Sequence, residues 1–384
     1  MMGGDSPPTA DSPPPAGGKR FAVVFAGGGT GGHLYPAIAV ADELRRRQSG
    51  VEVTFVGTAG RIEERVIPPT GYHFATIWIS GFRRRIGWPL LLFPLKVLVS
   101  VVQSLLLLRR LRPSVVVGTG GYVSGPPVFA AWLLGIPSLL QEQNSYPGLT
   151  TRLLAGRARE VHLTFEASRR FLRRADNVRV SGNPVRSEVG SAGRPDAARF
   201  FGLDPSVTTV LVFGGSLGAS AINAAVRRNL RGLLVRGLQV IWQTGPEEAD
   251  TALRAVRDER AERTIRVFPY IERMEFAYAA SDVAVCRAGA TTVAELAQAG
   301  LPSVLIPYPH AAADHQTENA RAMAEGGAAL LCPDAEAGDR LLPLLLGLLD
   351  DPDRLRAMAG KARAMARPEA AAVLADAVIR LAHS

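Results

Sequence analysis

The sequence predicts an α/β protein built from two doubly wound, Rossmann-like domains that face each other across a cleft. Three observations predict it. Short apolar runs alternate with helix-length segments through most of the 384 residues, a pattern of parallel sheets covered on both faces. The rhythm runs once from Phe21 to Leu163 and starts again at Thr208. Between the two lies Gly182–Pro195, rich in Gly, Pro and Ser, the expected linker.

In the first half, Phe21–Ala26, Val51–Val56, Ser114–Val117, Ser138–Leu140 and Val161–Leu163 read as buried strands, with helices such as Leu34–Arg47 and Val123–Leu134 between them. In the second half the strands are Thr208–Phe213, Gln239–Trp242, Ile265–Phe268, Val283–Val285 and Ser303–Ile306. Residues 19–185 are then one domain and 186–365 the other, with ligands expected at the carboxyl ends of the strands. Residues 366–384 hold a last helix, near Glu369–Ala382, expected to pack on one of the two domains, a return to the N-terminal one included. Residues 1–18 are dominated by Pro, Gly, Ser and Asp, which build no core. A disordered tail is expected there, and it lacks the basic start and apolar centre of a signal peptide.

The formal charge of +9 is unevenly spread. Residues 1–190 carry 23 basic and 12 acidic side chains, residues 191–384 carry 21 and 23. Between Glu64 and Glu142 there is no acid, while Arg65, Arg83, Arg84, Arg85, Lys96, Arg109, Arg110 and Arg112 fall there. The charge therefore suits an anionic surface met by the N-terminal half alone. No aromatic-basic reading surface accompanies it, so no nucleic acid is expected as a partner. Two cysteines, Cys286 and Cys332, exclude a disulfide-rich scaffold and fit a reducing compartment.

Trp88–Leu108 has the length of a membrane span and a single charge, Lys96. Pro89, Pro94, Lys96 and Gln103 oppose that reading, as does the need for a crossover helix at this point. With its flank, Arg83–Phe93 also has the composition of a segment lying on an anionic bilayer, arginines on phosphates and Trp88 and the leucines in the interface. A core helix with solvated arginines is the alternative.

Three glycine-rich turns follow predicted strands, at Gly27–His33, Gly118–Gly125 and Gly214–Ala219. Glycine permits close approach of backbone to a ligand, and a helix start behind it offers N–H groups to phosphate. Any tight strand-to-helix turn also needs glycine, so the weight lies in having three: two in one domain, one in the other, for two phosphate-bearing ligands. None is a P-loop. The first lacks the acid that a dinucleotide site expects at the end of its second strand, where Val56-Gly57-Thr58 stands. Asp351-Pro352-Asp353 has the spacing of a metal-dependent transferase but precedes a helix, where Asp is a common cap. No metal site is expected.

GGGTGGHLYP at 27–36, GGYVSGP at 120–126, QEQNSYPG at 141–148, GNPVR at 182–186, GGSLGA at 214–219 and AGATTVAELAQAGLPSVLIPYPH at 288–310 occur in this order. Together they resemble the bacterial MurG family, the UDP-N-acetylglucosamine:undecaprenyl-diphospho-muramoylpentapeptide N-acetylglucosaminyltransferases, over nearly all of residues 20–380. The resemblance implies the GT-B fold and an inverting transfer of GlcNAc from UDP-GlcNAc to the 4-hydroxyl of MurNAc in lipid I. The product is lipid II, made for peptidoglycan at the cytoplasmic face of the cell membrane by a peripheral enzyme with no cofactor.

By resemblance, Glu295 holds both ribose hydroxyls, and a carboxylate has the acceptor oxygens for it. Ser216 and Arg186 meet the diphosphate, Gln316 and Asn319 read GlcNAc hydroxyls, and Ile271 reads the uracil edge through its backbone. Thr30, Gly31, Gly32, Asn144 and Ala290 complete the donor side. Gly28, Gly29, Gly121, Tyr122 and Glu142 are expected at the acceptor. His33 is the expected base for the acceptor hydroxyl, since histidine titrates nearest neutral pH. A capping histidine, or a cation on acceptor phosphate, is the other reading. His315 stands where the family often has Gln. The implied partners are UDP-GlcNAc, lipid I, an anionic membrane surface through Arg83–Phe93, and other cell-wall enzymes. The rival enzyme is a UDP-GlcNAc 2-epimerase, which shares the fold and needs no lipid acceptor. The rival from another class is a catalytically silent scaffold on the membrane surface.

Overall fold

A computed structural model describes residues 21–81, 93–173, 176–311 and 314–384. Among them are two sheets whose strands all run parallel. The first contains β1 (Ala22–Ala26), β2 (Glu52–Gly57), β3 (His73–Thr76), β4 (Val115–Gly118), β5 (Ser138–Glu142), β6 (Glu160–Leu163) and β7 (Val178–Val180), in the order β3-β2-β1-β4-β5-β6-β7. The second contains β8 (Thr209–Phe213), β9 (Gln239–Gln243), β10 (Ile265–Phe268), β11 (Val283–Cys286), β12 (Ser303–Leu305) and β13 (Ala329–Leu331), in the order β10-β9-β8-β11-β12-β13. These are two Rossmann-like domains, the GT-B arrangement.

The central strands are buried along their whole length, which is why they read as unbroken apolar runs. In each sheet the strand order reverses at one place, between β1 and β4 and between β8 and β11. Paired strands end together there, Ala26 beside Gly118 and Phe213 beside Cys286. The loops that leave these ends diverge, and the crevice between them is where an open α/β sheet takes a ligand. All three glycine turns lie at these two switch points.

Around the first sheet lie α1 (Gly31–Arg47), α2 (Ile62–Val66), α3 (Phe93–Leu111), α4 (Gly125–Leu133) and α5 (Leu149–Leu154). The last helix, Ala370–Ala382, packs on this domain, not on the one that precedes it. Its Leu374, Ala375, Ala377, Val378 and Leu381 share a core with Val23, Phe25, Leu34 and Leu44. Arg380 donates to Glu160 at 2.9 Å, and Asp376 pairs with Arg47.

Helix α3 is apolar on two faces: Leu108, with Val97, Leu105 and Leu111, packs into the core, and a second stripe is exposed. Ser100 and Ser104 are buried, while Leu98 and Leu106 are 63% and 61% exposed, with Leu95 and Val102 on the same stripe. The serines let α3 lie close on α4 and satisfy their hydroxyls on its own carbonyls, Val97 O at 2.8 Å and Ser100 O at 2.7 Å. No helix among the described residues is long and apolar enough to cross a membrane. The expected tail at 1–18, and Arg83–Leu92 of the expected bilayer segment, lie outside the described residues. Asp351 is the cap of the helix Pro352–Met365, accepting from the Arg354 N–H at 2.9 Å, and Asp353 pairs with Arg356.

Candidate active site between the two domains

The cleft between the two switch points encloses about 410 Å³. Thr30, Gly31, Gly32, His33, Tyr35 and Asn144 line it from the N-terminal domain. Ser216, Ile271, Ala290, Glu295, His315 and Gln316 line it from the other, with Arg186 from the linker.

Glu295 lies in the second turn of the helix Ala290–Ala299 and is buried. Tyr278 Oη donates to its Oε2 at 2.8 Å, and Arg186 Nη2 stands 3.5 Å from its Oε1. Burial raises the Glu295 carboxyl above the ordinary range, and Arg186 and Tyr278 pull it only part of the way back. For Arg186 burial is the largest influence and acts against the charge, but Glu295, Tyr278, Tyr35 and Glu275 together outweigh it and the guanidinium titrates higher than usual. The same guanidinium lies 5.2 Å from the centroid of the Tyr35 ring. Tyr35 Oη is in turn 2.8 Å from Tyr270 Oη, a contact that joins the two domains across the cleft. Nearby, the loop bearing Ser216 is clamped from beneath. Gln243 donates to the Gly215 carbonyl at 2.9 Å, and Gly218, at φ +80°, lies so close to the Thr244 carbonyl that a Cβ would sit 1.9 Å from it.

His33 stands in the first turn of α1, with Nδ1 3.0 Å from Gln143 Oε1. The second glycine turn makes room for it. A Cβ on Gly120, where φ is +97°, would be 2.6 Å from His33 Nδ1. Gly120→Ala therefore has to push the imidazole aside. We expect it to lower turnover far more than affinity for the ligand of the interdomain cleft, measured by steady-state kinetics beside equilibrium binding; equal turnover would show that the ring position is unimportant.

His33 also faces a second cavity of about 920 Å³, an apolar groove between α3, α4 and α5. Val97, Val101, Phe129, Leu149 and Leu153 supply its apolar wall, and Gly121, Tyr122, Arg152 and Arg157 line it too. Histidine thus sits at the junction of a polar interdomain cleft and an apolar groove.

Residues 23–163 match the glycosyltransferase family 28 N-terminal domain, and residues 209–374 match the glycosyltransferase family 28 C-terminal domain. The UDP-N-acetylglucosamine–N-acetylmuramyl-(pentapeptide) pyrophosphoryl-undecaprenol N-acetylglucosamine transferase of Chlorobaculum tepidum is 46% identical over 94% of this chain and 100% of its own. The crystal structure of Acinetobacter baumannii MurG superposes with a TM-score of 0.72 at 32% identity, covering 94% of this chain and 99% of that one. The chain belongs to the MurG family, within glycosyltransferase family 28. A UDP-GlcNAc 2-epimerase from Neisseria meningitidis superposes with a TM-score of 0.66 at 13% identity, covering 94% of this chain and 99% of that one, a likeness of fold alone.

Within this family 28 site, several expected positions are placed differently from their sequence reading. Asn319 is fully buried; its Nδ2 donates to the Ala288 carbonyl at 3.0 Å and braces the turn before the helix Ala290–Ala299, while its Oδ1 has no hydrogen-bond partner among the described residues. The Ile271 N–H is bonded to Gln243 Oε1 at 2.7 Å, so its amide is already engaged. Gln316 accepts from the Tyr308 N–H at 3.0 Å and lines the cleft. Glu142 is buried beneath the loop it was expected to act from. It accepts from the Asn144 N–H at 3.0 Å, the Asn144 amide at 3.2 Å, the Gly148 N–H at 3.0 Å and Thr151 Oγ1 at 2.6 Å. Arg186 lines the same cleft as Ser216 and pairs with Glu295.

Gly28 and Gly29 are also altered by a neighbour the sequence did not reveal. The buried carboxylate of Glu63, at the start of α2, accepts from the Gly29 N–H at 3.0 Å, so that amide does not face a phosphate. The acid missing from the end of β2 thus returns a few residues later, underneath the turn. Tyr122 packs on Gly29 from the other side. Arg152 is the other side chain the sequence reading missed. Its Nη1 donates to Tyr146 Oη at 2.9 Å, while its Nε is buried with no hydrogen-bond partner among the described residues. Gln143 likewise was not singled out, although it lies between two residues that were. Among the described residues no three His, Cys, Asp or Glu side chains gather as a metal set.

Proposed function

We propose that this chain is an inverting hexosyltransferase that moves GlcNAc from UDP-GlcNAc to the 4-hydroxyl of MurNAc in lipid I, making lipid II for peptidoglycan. The observation that carries the reading is the place of His33, which borders both the interdomain cleft and the apolar groove. A soluble nucleotide sugar suits the first and a lipid-linked sugar the second. The close curated relatives act on just such a pair by name.

In this mechanism the donor ribose is held by Glu295 and the diphosphate by the Ser216 loop, with Arg186 adding positive charge beside them. His33 takes the proton of the acceptor hydroxyl as its oxygen bonds to the anomeric carbon and the bond to UDP breaks. Attack from the face opposite UDP inverts the centre. The negative charge left on UDP meets preorganised N–H groups and Arg186. No cofactor or metal enters the reaction, so turnover with EDTA is expected to equal turnover without it. A loss reversed by Mg²⁺ would contradict that part.

The groove takes the acceptor's undecaprenyl end, with Arg152 and Arg157 on its wall for diphosphate. The exposed stripe of Leu95, Leu98, Val102 and Leu106 rests on the cytoplasmic membrane surface, which the Arg83–Phe93 sequence also suits by composition, with other cell-wall enzymes as neighbours. Leu98→Ser with Leu106→Ser should weaken sedimentation with anionic vesicles and spare activity on a short-chain soluble acceptor. Unchanged sedimentation would remove the stripe from the membrane contact. The reading as a whole is tested by radiolabelled UDP-GlcNAc and a lipid I analogue. Label in the lipid product supports it; ManNAc formation or no conversion refutes it.

A further inference from the structure

Two of the sequence motifs contain buried amides for which the mechanism above has no use: Gln141 and Gln143 from QEQN, and Asn183 from GNPVR. All three are buried, so each carboxamide needs partners for both of its ends. They find them in one another, and the bonds run in a single direction.

The direction follows from the two ends. Thr291, in the first turn of the helix Ala290–Ala299, donates its hydroxyl to the Gly32 carbonyl at 3.3 Å. That carbonyl is available because the residue four places on is Pro36, which has no N–H to give it. With its proton so placed, Thr291 Oγ1 accepts from Asn183 Nδ2 at 3.4 Å. Asn183 Oδ1 therefore faces the other way and accepts from Gln141 Nε2 at 3.0 Å. Gln141 Oε1 is left to accept from Gln143 Nε2, which also donates to the Thr119 carbonyl at 2.6 Å. A backbone carbonyl can only accept, so the Gln143 amide is not free to turn over. Its oxygen is what meets His33 Nδ1 at 3.0 Å.

An amide oxygen cannot donate. We propose that Gln143, held by Thr119 and backed by Gln141 and Asn183, is a positioning residue that keeps the proton of neutral His33 on Nδ1 and so leaves Nε2 bare to take the acceptor's proton. This rests on the reading of His33 as the base. The ring nitrogen that does chemistry is set by the bond the other one makes. Gly120 and Gly121 close against the ring and keep it in that bond, since a Cβ on either would meet it. The chain also ties the base to the linker and to the helix that carries Glu295, so the same polar run that orients the imidazole touches the donor domain.

The test reads the tautomer directly. Nitrogen-15 histidine is incorporated into the full chain, which has six histidines, and His33 is assigned by difference with His33→Gln. At a pH where the ring is neutral, the wild type is expected to show a protonated Nδ1 and a bare Nε2. Gln143→Met fills similar space without the oxygen, and should shift the proton toward Nε2, lower kcat by roughly tenfold or more, and leave UDP-GlcNAc affinity within about twofold. Gln143→Glu keeps an acceptor oxygen toward His33 and should keep the Nδ1–H tautomer, while its second oxygen, set against the Thr119 carbonyl and Gln141 Oε1, should hold kcat below the wild type. A wild type with its proton on Nε2 overturns the proposal without need of any variant. So does Gln143→Met with the tautomer unmoved. If the tautomer moves while kcat does not, the orienting role of Gln143 stands and His33 as base falls. The two readings therefore fail separately.

Discussion

His33→Gln is expected to cut turnover by roughly 10²- to 10⁴-fold, the range for loss of a general base, with UDP-GlcNAc affinity nearly unchanged. Glutamine fills much of the same space and can still bond to Gln143, so the loop should keep its shape. What it lacks is a nitrogen able to take a proton near neutral pH. The main donor contacts proposed above, at Glu295, Arg186 and the Ser216 loop, lie on other elements of the cleft. Steady-state rates beside equilibrium donor binding check this. A variant with wild-type turnover would require a different base. A parallel loss in rate and donor affinity would make His33 a donor-binding residue.

Glu295→Ala should weaken UDP-GlcNAc binding by about 1.5–3 kcal/mol for each hydrogen bond to the charged group that is lost, at least roughly a tenfold change. It also takes the counter-charge from Arg186, whose Nε is buried without a partner among the described residues. The pH dependence has a definite sign. The carboxyl titrates above the ordinary carboxylate range, chiefly through burial. Ribose hydroxyls need the ionised form as acceptor, so donor affinity should fall with falling pH, starting higher than an exposed glutamate would allow. Glu295→Gln should bind weakly and lose this pH dependence. For folding, a carboxyl whose value is raised in the native state opposes stability above both values, and that penalty fades as pH falls through the native one. Calorimetric titration across mildly acidic pH reads the binding effect. Unchanged affinity in Glu295→Ala would remove it from the donor site.

Much of this architecture was legible in the sequence, and the gaps have a common cause. Every central strand was marked by an unbroken apolar run because both of its faces are covered. The three strands not anticipated, β3, β7 and β13, are all edge strands. His73–Thr76 and Val178–Val180 are partly exposed, so their sequences lack the signal that burial imposes. The glycine turns and Glu295 were legible because close backbone approach and a helix start leave local marks. Glu63 was not, since its contact with Gly29 crosses from one connection to another. Asn319 and Glu142 have a second role that the sequence did not show. Polar residues within a motif suggested ligand contact, and in the fold both also hold the turns beside the cleft through hydrogen bonds. Gln143 was overlooked because its meaning depends on His33, 110 positions away.

The account stands or falls on donor cleft and acceptor groove meeting at one base, with attack from the face opposite UDP. The most direct measurement is the anomeric configuration of the new linkage, read from the proton coupling of the product formed with UDP-GlcNAc and a short-chain lipid I analogue. The account predicts a β-1,4-linked GlcNAc on the MurNAc residue. An α linkage, or free sugar released from UDP-GlcNAc without a lipid-linked product, would contradict it.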